Sequence, residues 1–64
     1  MTGQEFAQAL ARLGWSQAEI SRRLGVHQNT SSRWHLAGPP GYVAEYLRVM
    51  ELASRIMEAP HDRR

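Results

Sequence analysis

The sequence predicts an all-α domain of four short helices. Three observations carry this expectation. The stretches Thr2-Gly3-Gln4-Glu5 and Ser16-Gln17-Ala18-Glu19 both read as capping boxes, a hydroxyl at the cap and an acid three residues on. Apolar residues then recur at helical spacing until Gly14 and Gly25, which suit the left-handed position just past a helix end. No strand-like alternation, repeat or low-complexity stretch interrupts the pattern. With 64 residues, the chain is expected to form one domain over 1–64.

Each element follows from its start and stop signals. Phe6, Ala9, Leu10 and Leu13 place helix 1 at about 3–13. Ile20 and Leu24 share a face of helix 2, at about 17–24, and only Gly25-Val26-His27 separate it from the next helix. A turn that short makes two helices cross steeply. Helix 3 runs from about 28 to 36 and stops at Gly38-Pro39, with Val26, Thr30 and Trp34 marking its inner side. After the stiff Gly38-Pro39-Pro40-Gly41 linker, helix 4 spans about 42–58 and ends before Pro60. The tail His61-Asp62-Arg63-Arg64 is expected to fray. Trp15 and Trp34 are expected in the core.

Composition narrows the function classes. A domain of this size buries only about 60% of its unfolded surface, and without cysteine neither a disulfide nor a thiolate metal site can staple it. Oligomerisation is then the common remaining support. His27, His35 and His61 lack chelate spacing, so no metal is expected, and no cofactor motif is present. No nucleophile constellation, carboxylate pair or phosphate-cradling loop points to an enzyme. No apolar run approaches the ~20 residues of a membrane span. The polar start is unlike a secretory signal, so a cytoplasmic location is expected.

The net charge of +2 is unevenly placed. From Arg12 to Leu36, Arg12, Arg22, Arg23 and Arg33 face a single acid, Glu19, whereas Arg48, Arg55, Arg63 and Arg64 are matched by Glu45, Glu51, Glu58 and Asp62. A basic middle segment suits a polyanion. Gln28, Asn29, Ser32 and Arg33 share one side of helix 3. An ordinary solvated helix face carries Glu and Lys in ion pairs; this one carries amides, a hydroxyl and a guanidinium. Gln and Asn match the N6/N7 edge of adenine, and Arg matches the O6/N7 edge of guanine. These four are the candidate base contacts. Ser16 and Gln17 sit at the N-terminus of helix 2, where free N–H groups suit phosphate. Together with Arg22, Arg23, His27 and His35 they form the candidate phosphate set.

The stretch from about 3 to 36 resembles the phage-repressor-like helix-turn-helix family, also called Cro-type or XRE-type. The residues that carry the likeness are Ser16-Gln17-Ala18-Glu19, Leu24-Gly25-Val26, Thr30 and Ser32-Arg33-Trp34. The resemblance implies a lambda-repressor-like domain with its helix-turn-helix at about 16–36. It also implies binding to double-stranded operator DNA, commonly as a homodimer on a palindrome, in a repressor or autoregulator of phages and other mobile elements. In such proteins the residue at Gln17 touches phosphate, and those at Gln28, Asn29, Ser32 and Arg33 face the major groove. Three positions depart from the family pattern. Ser21 stands where Ala is preferred, a small change. Ser31 stands where Val or Ile is preferred; it is expected to point inward and to need a partner such as the carbonyl four residues back, and because it removes apolar volume from a small core, Ser31→Val is expected to raise thermal stability. His27 replaces a Ser or Thr cap and is expected to cap poorly, reaching a phosphate instead.

Helix 4 has more apolar surface than one stripe needs. Val43, Leu47, Met50 and Met57 are expected to cover the core. Val49, Leu52, Ala53, Ile56 and Met57 are the candidate dimer contacts. Two other functions compete with operator binding. A co-regulator or antirepressor of the same ancestry would bind another regulator, and its groove face would be apolar or acidic. A nonspecific architectural DNA binder would carry a larger charge excess. RNA polymerase is a further partner class, should the protein activate transcription.

Overall fold

In the computed structural model, which describes residues 1–58, the first capping box forms in full. Thr2 Oγ1 accepts the Glu5 N–H at 3.1 Å, and the Glu5 carboxylate accepts the Thr2 N–H at 2.8 Å. Helix α1 follows over Gly3–Leu13. Gly14, at φ 74°, turns the chain out, and the Trp15 N–H closes the helix end by donating to the Leu10 carbonyl at 2.9 Å. Helix α2 (Gln17–Leu24) ends the same way, with Gly25 at φ 69° and the Val26 N–H donating to the Ser21 carbonyl at 3.0 Å. Helix α3 covers Gln28–Ala37, one residue beyond the expected end, and α4 covers Gly41–Glu58. The expectations for Pro60 and the 61–64 tail lie outside the described residues.

The second capping box is only half made. Ser16 Oγ accepts the Glu19 N–H at 3.1 Å, but the Glu19 carboxylate does not return to Ser16. It bonds Arg22 and, at 2.8 Å, Arg23. Charged donors one turn along outcompete a neutral backbone N–H for a carboxylate.

The molecule is all-helical, with no strand among the described residues. Helix α1 is the hub: it packs against both α3 and α4, and α2 packs on α3. Phe6, Ala9, Leu10, Ile20, Trp34, Val43 and Leu47 form the buried core. The Phe6 and Trp34 rings meet edge to face at 5.7 Å, a geometry that aromatic quadrupoles favour. The start of α1 lies so close to the end of α3 that a Cβ on Gly3 would overlap the His35 carbonyl. Arg12 on α1 grips Glu51 on α4 through two hydrogen bonds, at 2.8 and 3.2 Å.

Two core expectations are corrected. Trp15 is half-buried, not enclosed, and packs against the core from its edge. Met57 is 69% exposed and does not join the Val43–Leu47 stripe, whereas Met50 is half-buried. The cause is length: at ~1.5 Å per residue, the 18 residues of α4 reach about 27 Å and the 11 of α1 about 17 Å. The last turns of α4 therefore extend past the helix that covers the rest of it.

Candidate nucleic-acid interface

A hydrogen-bond network joins α2 to α3. Ser21 and Ser31 are the buried polar residues, and their hydroxyl oxygens lie 2.6 Å apart. Ser31 Oγ donates to the Gln28 carbonyl at 3.1 Å, which makes Ser21 the donor to Ser31. Gln17 Nε2 donates to the same Gln28 carbonyl at 3.1 Å. The N-termini of α2 and α3 are thus held side by side. Ser31 is buried as expected, but its partners are Ser21 and the carbonyl three residues back. Ser31→Val is therefore expected to destabilise instead, because valine would leave the buried Ser21 hydroxyl without its acceptor.

His27 requires a second correction. Its Nδ1 accepts the Asn29 N–H at 3.0 Å, so the imidazole caps α3 in place of a hydroxyl. An acceptor at Nδ1 places the ring proton on Nε2, an N–H left to donate outward. The sequence signal was present: a histidine at an N-cap offers a ring nitrogen at the reach of a short side-chain oxygen.

With α3 fixed this way, Gln28, Asn29, Ser32 and Arg33 all lie exposed, opposite the buried Ser31 and Trp34. Arg33 makes no ion pair among the described residues. No acid occurs between Glu19 and Glu45, so the exposed face of α3 has no carboxylate of its own.

The candidate phosphate residues are placed less uniformly. Ser16 caps α2, with its own O–H still available as a donor. Gln17 is half-buried and spends one N–H on the Gln28 carbonyl. His27 is exposed at the start of α3, whereas His35 lies at its far end with its ring 4.9 Å from that of Phe6. Arg22 and Arg23 share Glu19, and hydrogen bonding from Arg22, then Arg23, holds the Glu19 carboxyl below the usual range. Arg23 also stacks over Trp15, 4.0 Å from the ring centroid, and Tyr46 and Glu19 together raise its pKa. The Trp15 and Tyr46 rings lie 6.1 Å apart, so this cluster latches α2 to α4. Sequence reading missed the latch because its members are 8 to 31 positions apart and belong to no local motif.

On α4, Val49, Leu52, Ile56 and Met57 are 54%, 52%, 63% and 69% exposed, and Ala53 is half-buried. Beside them opens a groove of about 320 Å³ lined mainly by Leu13, Trp15, Met50, Ala53 and Met57. None of the helices among the described residues is long and apolar enough to cross a membrane. In comparisons with known proteins, no family model, curated protein or solved structure matches the chain.

Proposed function

We propose that the protein is a sequence-specific DNA-binding transcriptional regulator of the helix-turn-helix, lambda-repressor-like type, acting as a homodimer at a palindromic operator. The observation that carries this reading is the outer face of α3. Four side chains able to pair with base edges stand exposed there, without a competing carboxylate, beside the N-terminus of α2. Gln28 and Asn29 read adenine edges and Arg33 a guanine edge, with Ser32 between them. The N-terminus of α2 and the Nε2–H of His27 bind flanking phosphates, which set register and salt dependence. The apolar outer face of α4, continuous with the Trp15 groove, supports pairing of two copies. Such a pair presents its α3 helices to major grooves about 34 Å apart. The polar, cation-bearing face of α3 favours DNA over a partner protein. Its amides favour a reader of sequence over an architectural binder.

The test is selection from a random duplex pool at physiological salt. The reading expects enrichment of one inverted repeat containing G·C and A·T positions. Uniform recovery of all duplexes contradicts sequence recognition, and recovery of none contradicts DNA binding.

A further inference from the structure

Leu36 is 88% exposed, the highest value among the exposed large apolar side chains of the described residues. Its place on α3 is more telling than its exposure. At about 100° per residue, Ser32, Asn29 and Arg33 project at about 40°, 100° and 140° from Gln28. Leu36 projects at about 80°, inside that arc, and the buried Trp34 and Ser31 lie at about 240° and 300°. The leucine therefore stands on the midline of the polar face, at its C-terminal end, and points away from the core. Its neighbours one turn back are Ser32 and Arg33, so no apolar contact within the helix shelters it.

A DNA major groove offers one apolar feature to such a side chain, the 5-methyl group of thymine. We infer that Leu36 is a specificity-determining residue that contacts a thymine methyl in the operator. This rests on the DNA-binding reading above. Leu36 lies about 4.5 Å beyond Arg33 along the helix axis at ~1.5 Å per residue, and base pairs are stacked about 3.4 Å apart. With α3 lying along the groove, the thymine falls one or two steps from the guanine that Arg33 reads, on the side away from Gln28.

The test replaces each thymine of the selected duplex by deoxyuridine, which removes the methyl and leaves the hydrogen-bonding edges unchanged. Parent protein and Leu36→Ala are titrated on every duplex. The parent is expected to weaken about fourfold at one thymine, the equivalent of the ~0.8 kcal/mol of one buried methylene-sized group. Leu36→Ala is expected to bind the unmodified duplex less tightly and to lose nothing further at that position. Its thermal melt should match the parent's, since the residue is almost fully exposed. A parent indifferent to every replacement overturns the inference while leaving sequence recognition intact, as does a Leu36→Ala protein that keeps the parent's full sensitivity. A parent that prefers no duplex overturns both.

Discussion

Ser21 and Ser31 show how two polar residues can occupy a small core without penalty. A buried hydroxyl without a partner would be a liability, since an unsatisfied group costs about 1–3 kcal/mol. Together they form a chain that ends on the Gln28 carbonyl, and no buried side-chain polar atom among the described residues lacks a partner. The serines at these two positions thus compensate each other. Ser31→Val is expected to destabilise by about 1–3 kcal/mol, and Ser21→Ala by less, because Ser31 keeps its carbonyl acceptor. The Ser21→Ala/Ser31→Val double variant is expected to recover most of the loss, as apolar replacement of both partners can be nearly neutral. Chemical denaturation of the four proteins measures the coupling; additive losses would show that the hydroxyls do not act as a pair. Sequence pattern placed Ser31 inside through its period, but its partner lay on another helix, where no local rule points.

At the scale of elements, α1 carries both the α2–α3 pair and α4, so its contacts decide how the exposed polar face of α3 and the outer face of α4 are related. Gly3 permits the close approach of α1 to α3. Gly3→Ala is expected to cost about 1–3 kcal/mol, the usual range for overpacking, and the thermal melt tests it; an unchanged melt would show that the backbones part easily. The Arg12–Glu51 pair joins α1 to α4. Hydrogen bonding from Arg12 holds the Glu51 carboxyl below its ordinary value of 4.5. A depressed folded-state value means that the contribution is present above about 4.5 and is lost as pH falls through the folded value. The melting temperature is expected to decline in acid, and Glu51→Gln to lower it at pH 7 while flattening that decline. Identical pH profiles would remove Glu51 from the account. The helix ends were legible because caps and terminating glycines are local chemistry. The Gly3 contact and the Arg12–Glu51 grip were not, because they depend on how helices stack.

Across the whole molecule, a small core and a bare apolar face on α4 belong together. Helix α4 spans more length than its own domain covers, and the excess is the surface expected to bind a second copy. Leu52→Glu is expected to give a folded monomer by sedimentation equilibrium and to weaken binding to a two-half-site duplex far more than to a half-site. A monomeric parent would assign that face another role. Apolar stripes pointed to this surface, but they put Met57 both in the core stripe and on the outer face, and only its exposure on the outer face is seen, because a stripe count does not say where the covering helix stops. It also found the exposed set on α3, but passed over Leu36 as a helix end, since an apolar residue is not a hydrogen-bonding one.

The claim on which all of this depends is that α3 reads bases. The most direct measurement is a binding titration of the parent, Arg33→Ala and Gln28→Ala on the selected duplex and on its scrambled counterpart, at two salt concentrations. The account expects each variant to lose about 1–3 kcal/mol of discrimination between the two duplexes, with binding to scrambled DNA much less affected. Equal losses on both duplexes, or none on either, would contradict it.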